Sequence, residues 1–406
     1  MQKLIQHIFP PDPPVTPMTF TRLPVVHRYW VGGLIAALFG FALGFVLWAW
    51  QQGVLPALPT YPHFKLWHAR IQILFFLGSF VLGFALQSGP HVVGGPPPPS
   101  RPLLRLTLLL QAGFVLSLLA QEWQRHLGNL MISLSYLGAV YYLARLAIQG
   151  DPLRRLARGI PLALSFIPLA IAPWLALDSA DLALWVLWCG PITSALVAGQ
   201  QLINNVLGGT LLQGTLARLF AFALLVAWSL STVAAFTVGG SWQRAGMAWL
   251  VVLILLALGT GLLRVVRQAG FVAINVTLVL GFASAFLAAA WLASPGGSFT
   301  PDAAVHLLGA GMLTTLILGV ATRVIRFFVG VTAFNDRLLC YLLLLWNAVV
   351  LARVATALGG SISHLVLLLL MGSGGLILVL WSFRLAPGLW QVQKNIPPAL
   401  SGKKTG

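Results

Sequence analysis

The sequence predicts an all-α fold, a polytopic integral membrane helix bundle with about twelve transmembrane helices and both termini cytoplasmic. Three observations support this prediction. Hydrophobic residues make up 59% of the 406 residues, and charged residues only 8%, whereas about 25% of a typical soluble domain is charged. The chain has only 7 Asp and Glu, too few for a soluble surface. Its 24 Lys and Arg are scattered between long apolar runs.

The apolar runs are long enough to span a membrane. A spanning helix needs about 20 predominantly apolar residues, because the hydrocarbon core is about 30 Å thick and each residue rises about 1.5 Å. Turn signals such as Gly150–Asp151–Pro152 separate the runs. The predicted spans are 29–50, 64–86, 103–121, 127–149, 159–177, 182–204, 215–238, 246–266, 271–293, 302–326, 335–358 and 362–386.

The same pattern divides the chain into three parts. Residues 1–28 form a Pro-rich cytoplasmic segment, residues 29–386 a single twelve-helix transmembrane domain, and residues 387–406 a basic cytoplasmic tail. No connection between spans is long enough to hold a folded domain. The function is therefore expected inside the bundle or at its rims.

Basic residues predict the orientation. An even number of spans places both termini on one side, and that side then carries 19 of the 24 Lys and Arg. Cytoplasmic loops are enriched in Lys and Arg, so this side is predicted to be the cytoplasm. The net charge of +17 is thereby explained mostly as an orientation signal. We therefore expect the lipid bilayer, and no nucleic acid, as a partner.

Three histidines share one depth in this topology. His68, His306 and His364 each lie one or two turns inside the outer end of a predicted span. A metal or haem site in a helix bundle needs ligands from separate helices at one level. For each histidine taken alone, a hydrogen-bonded packing role is the alternative.

Two arginines, Arg70 and Arg353, lie at the same outer level. A charged side chain at membrane depth is costly and normally faces a partner inside the bundle. Because few carboxylates lie nearby, we expect a bound anion, and haem propionates would fit since Arg binds carboxylates in a bidentate way. Snorkelling of the side chains to the interface is the alternative.

Two segments carry a family resemblance. Trp67-His68-Ala69-Arg70, followed by an apolar helix with Gly83-Phe84-Ala85-Leu86 and Pro90, resembles the second helix of the NnrS family. His306-Leu307-Leu308-Gly309, leading to Thr322-Arg323, is similar to a late helix of that family. Pro24-Val25-Val26-His27-Arg28 is similar to a Pro-His-Arg entry before its first span.

The resemblance implies a haem- and copper-containing bacterial inner-membrane protein associated with nitric oxide metabolism and nitrosative stress. It implies His68 and His306 as the leading ligands, with His27 third although the topology places it on the opposite side. His63 and His364 are further candidate metal ligands. The haem would be bound non-covalently, as a b-type, because the chain has no CxxCH sequence.

One departure from the family pattern affects the copper expectation. The second His of the family motif is Arg70 here. Copper of this kind usually takes three nitrogen ligands, so the sequence favours haem over copper.

The sequence thus predicts a membrane haem protein that binds nitric oxide. Whether the protein also converts nitric oxide catalytically is left open at this level. Arg70 and Arg353 would neutralise the propionates. Two alternatives remain open at this level: a transporter or channel, which also suits twelve spans, and a non-catalytic subunit of a respiratory membrane complex. With each of these three functions, the protein could form a homo-oligomer or bind a membrane partner subunit.

Overall fold

The structure is a computed structural model that describes residues 26–56, 61–119, 121–237, 241–295, 300–323, 334–360 and 362–394. These residues form helices and connecting turns, without a strand among them. Eleven of the helices in this part of the chain are long and apolar enough to cross a membrane. The predicted class, a polytopic α-helical membrane protein, is therefore confirmed.

In the part of the chain that the structure describes, twelve long helices follow one another. They are α1 (His27–Gln51), α2 (Pro62–Val93), α3 (Ser100–Ser117), α4 (Glu122–Gln149), α5 (Arg155–Trp174), α6 (Ala180–Asn204), α7 (Gly214–Phe236), α8 (Trp242–Thr260), α9 (Ala273–Ala293), α10 (Pro301–Ala321), α11 (Asp336–Ala357) and α12 (His364–Ala386). All except α3 belong to the eleven candidate membrane spans.

Helix α3 corresponds to the predicted span 103–121 and differs from the other eleven. It has 18 residues, and Arg101 and Arg105 lower its apolar content. It nevertheless packs along α4 as a member of the bundle, where the Ser135 hydroxyl donates to the carbonyl oxygen of Leu106 at 2.8 Å. The bundle thus contains a twelfth long helix that is less apolar than the rest.

Helices α2 and α6 form the centre of the bundle. In their most apolar stretches 78% and 83% of the residues are buried, against 28% in α7. Helix α1 packs against α2 and α12, and α10 packs against α9 and α11. The outer helices instead expose large apolar side chains, such as Phe222 and Leu225 on α7. Such surfaces are suited to contact with lipid.

Two of the spans are interrupted. Helix α6 has non-helical backbone angles at Gly190, directly before Pro191. The Thr193 hydroxyl donates to the carbonyl oxygen of Trp188 at 2.8 Å and so satisfies an acceptor at the break. Helix α5 is interrupted by a turn at Ser165, whose carbonyl oxygen lies 3.4 Å from where a Cβ on Gly190 would be. The two interruptions therefore face each other.

Arginines at the start of α5 hold the ends of two other helices. The guanidinium of Arg155 donates to the carbonyl oxygens of Ala147 and Ile148 at 3.2 and 2.8 Å, at the end of α4. Arg158 donates to the carbonyl oxygen of Val92 at 3.4 Å, at the end of α2. The last carbonyls of a helix have no partner within the helix, so these arginines act as C-terminal caps.

The orientation of the chain is a prediction that reporter fusions test. We expect a green fluorescent protein fused to either terminus to fluoresce, and alkaline phosphatase fused to the carboxyl terminus to be inactive, because both termini are predicted to be cytoplasmic. Alkaline phosphatase inserted between α3 and α4 should be active. Termini on opposite sides would mean that α3 does not cross the membrane.

Candidate functional site

His68 on α2 has one ring nitrogen fixed by the neighbouring helix. Its Nδ1 lies 2.8 Å from the backbone carbonyl oxygen of Gly40 on α1. A carbonyl oxygen only accepts hydrogen bonds, so Nδ1 carries the proton and donates it. In the neutral ring, the other nitrogen, Nε2, then has its lone pair available for a ligand.

His306 on α10 is held in the same way. Its Nδ1 lies 2.8 Å from the carbonyl oxygen of Asp302, one turn earlier, and 3.7 Å from the carboxylate oxygen Oδ1 of the same residue. Both are acceptors, so Nε2 is again the nitrogen with the lone pair. Metal-binding histidines usually donate their other ring N–H to a carbonyl or a carboxylate, as these two do.

The two histidines line one cavity, which we call the histidine cavity. It lies between α1, α2, α6, α10 and α11, and its empty space is about 1240 Å³, including the part that opens outward. Its deeper wall is mostly apolar and includes Phe41, Ile73, Leu77, Leu187, Trp346 and Val350. The arrangement suits a ligand with a large apolar body and a group that binds an imidazole nitrogen.

Charged residues of the histidine cavity are grouped at one end of the helices. They are Lys65, Asp178, Asp302 and Arg353. Lys65 and Asp302 lie near the beginnings of α2 and α10, Asp178 two residues before α6, and Arg353 near the end of α11. The cavity therefore has a charged mouth and an apolar interior.

Arg353 is paired within the protein. Its Nη2 donates to Oδ2 of Asp302 at 2.7 Å, and the two side chains are 14% and 36% exposed. Sequence reasoning expected a bound anion opposite Arg353, and the structure places a carboxylate of the chain there. A half-buried pair of this kind holds both side chains in place, and with them the first turn of α10.

Both histidines are followed by a stretch of π-helix. These wider turns span Ile71–Leu77 in α2 and Leu307–Thr314 in α10, and they pack against each other. Side chains donate to carbonyls in these turns: the Tyr136 hydroxyl to Leu74, and the Trp346 indole to Ala310 at 2.9 Å. Short π-helical turns occur frequently at functional sites, and this chain has others in α5, α6 and further along α10.

Two glycines of α1 make room for side chains of the histidine cavity. A Cβ on Gly44 would lie 2.6 Å from Cε1 of His68, and a Cβ on Gly40 would lie 2.8 Å from Nε2 of Gln72. The GxxxG spacing Gly40–Gly44 thus brings α1 close to the face of α2 that carries His68 and Gln72.

The other predicted histidines lie elsewhere. His63 and His364 are exposed, near the beginnings of α2 and α12. His27 is buried near the start of α1, 13 residues before Gly40, which is about 20 Å along a helix. The shared depth of His364 with His68 and His306 therefore does not bring it to the histidine cavity.

Arg70 also points away from the histidine cavity. Its Nη2 donates to the carbonyl oxygen of Pro173, at the end of α5, at 3.0 Å. Among the predicted residues, the structure brings together His68, His306 and Arg353. Sequence reasoning did not include Lys65 and Asp302, although helical spacings of three and four residues from His68 and His306 place them on the same faces.

The described residues contain no group of three or more His, Cys, Asp or Glu side chains that could hold a metal ion. The two cysteines, Cys189 and Cys340, are both free and buried. Among the described residues, no three side chains of these types therefore converge on a metal position in the histidine cavity, although His68, His306, Asp178 and Asp302 all line it.

Comparison with protein-family models identifies a related family. A family model described as NnrS protein matches residues 27–393, which is nearly the whole chain. A search of curated proteins finds no match.

Substitution of Gly44 tests the close contact between α1 and His68. We expect Gly44→Ala to lower the thermal unfolding temperature in detergent, because its Cβ would collide with the imidazole; overpacking of this kind costs about 1–3 kcal/mol. The control is Gly372→Ala on α12, where a Cβ meets nothing within 4 Å. Equal unfolding temperatures of Gly44→Ala and the parent protein would contradict the contact.

Proposed function

Because the chain belongs to the NnrS family over residues 27–393, we propose that it is a membrane haem protein that binds nitric oxide. The observation that carries the proposal is the pair of histidines in the histidine cavity, each with Nδ1–H bound to a carbonyl oxygen. The location we propose is the bacterial inner membrane, with the mouth of the cavity on the outer side.

The donor set of the histidine cavity fits a haem. A haem provides four nitrogen ligands to its iron, so the protein has to add only an axial ligand. The lone pair on Nε2 of His68 or His306 is suitable, since the opposite ring nitrogen is already bonded to a carbonyl. The apolar wall suits the macrocycle, and the charged mouth suits its carboxylates.

The two histidines have different surroundings. The ring of His68 lies against Gly44 and bonds to another helix, so its orientation depends on the packing of α1 on α2. The ring of His306 bonds within α10 and lies near the Asp302 carboxylate, which is itself bound to Arg353. His68 or His306 would hold the cofactor through its Nε2, since Nδ1 of each ring is already bound to a carbonyl oxygen.

A bound haem supplies an iron at which diatomic gases bind. The chain contributes an apolar wall and a site that lies between membrane helices. Nitric oxide is a small apolar molecule that dissolves in lipid, so a site of this kind is reachable from the membrane. The proposal does not include copper, because the histidine cavity provides two imidazoles where three nitrogen ligands are usual.

A transporter is the second candidate, and one observation favours it. Discontinuous helices near the middle of the membrane form the binding sites of many transporters. The facing interruptions of α5 and α6 at Ser165 and Gly190 are of this type. The haem assay below separates the two candidates.

Spectroscopy of the purified protein tests the proposed cofactor. We expect a Soret band when the protein is produced with sufficient haem, and a shift of that band on addition of nitric oxide. Protein without iron and without a Soret band would overturn the proposal and leave the transporter as the remaining candidate.

Histidine variants test the proposed ligands. His68→Ala or His306→Ala should lose the Soret band, because the axial nitrogen is removed. His63→Ala and His364→Ala are the matched controls and should retain it, since both side chains are exposed and outside the histidine cavity. Full haem content in both His68→Ala and His306→Ala would exclude this cavity as the site.

A further inference from the structure

The charged side chains at the mouth of the histidine cavity differ in how closely each is paired with an opposite charge. Asp302 is paired with Arg353, with 2.7 Å between Oδ2 and Nη2. Asp178 interacts electrostatically with Arg70, which lies outside the cavity. Of the two carboxylates at the mouth, Asp302 is therefore directly bonded to an arginine, whereas the interaction of Asp178 with Arg70 is longer-ranged. Lys65 is the cation that remains.

Lys65 is positioned to reach a ligand. In the described part of the chain its ammonium makes no hydrogen bond and no ion pair within 4.0 Å. It lies three residues before His68, so both side chains project from the same face of α2, about 4.5 Å apart along the axis. Its charge acts on both His306 and Asp302. The Lys65 side chain therefore lies at the mouth of the cavity, on the face of α2 that carries His68.

A cation over an apolar cavity selects a particular ligand chemistry. The apolar wall favours an uncharged body, and an ammonium on a flexible stem favours an anionic oxygen at one edge of that body. A hydrogen bond between an ammonium and a carboxylate is about twice as strong as one between neutral groups. Such a ligand is an amphipathic carboxylate.

We propose that Lys65, and neither Arg70 nor Arg353, binds a carboxylate of the ligand in the histidine cavity. This inference rests on the proposed function, in which the ligand is haem and the carboxylate is a propionate. Arg353 is already bound to Asp302, and Arg70 donates to Pro173. Lys65 thereby sets the orientation of the ligand, with its carboxylate edge at the mouth.

The experiment compares haem with haem dimethyl ester, in which both propionates are esterified. The full-length parent protein should bind the free acid about tenfold or more tightly than the ester, as expected for a hydrogen bond to a charged group. Lys65→Met should lose this preference by binding the free acid less tightly, and Lys65→Arg should keep it. The matched control is Arg244→Met, which removes an exposed cation at the start of α8 and should leave the preference unchanged.

The outcomes separate the two proposals. Equal binding of acid and ester by the parent protein, or a preference that persists in Lys65→Met, overturns the role of Lys65 and leaves the haem site standing. Binding of neither compound by the parent protein overturns the proposed function and this inference with it.

Discussion

This structure depends on one constraint: backbone polar groups inside the lipid must find their hydrogen-bond partners within the protein. No water is available there, so each carbonyl that leaves the regular helical pattern needs a partner from the protein. The π-helical turns of α2 and α10 receive donors from Tyr136 and Trp346. The break in α6 receives the hydroxyl of Thr193. Side chains of neighbouring residues therefore stabilise the irregular backbone near the candidate site.

Backbone carbonyl oxygens also orient the two histidines. His68 and His306 each donate to a carbonyl oxygen, which fixes the tautomer and the ring orientation before any ligand binds. Gly44 allows the close approach of α1 that brings the Gly40 carbonyl to His68. The orientation of the His68 imidazole thus depends on the small residues that let α1 pack closely against α2.

Sequence reasoning located the histidine layer and placed His364 in it, because hydropathy gives depth along a helix. The direction in which a side chain points around the helix axis is a separate quantity, and it is decided by the neighbouring helices. Hence His68 and His306 meet in one cavity while His364 is exposed at the start of α12. Arg353 shows the same limit, since its partner Asp302 is distant in sequence and adjacent in space.

The sequence by itself determined the class of protein, the family resemblance and the positions of the membrane helices, because the thickness of a bilayer translates directly into runs of apolar residues. It also singled out His68 and His306 through their motifs. The tertiary structure decided which polar residues converge, since the packing of neighbouring helices sets the direction in which each helix face points, and hydropathy does not record that direction. The place of Lys65 at the mouth of the histidine cavity, where Asp302 is already bonded to Arg353, was decided by the tertiary structure.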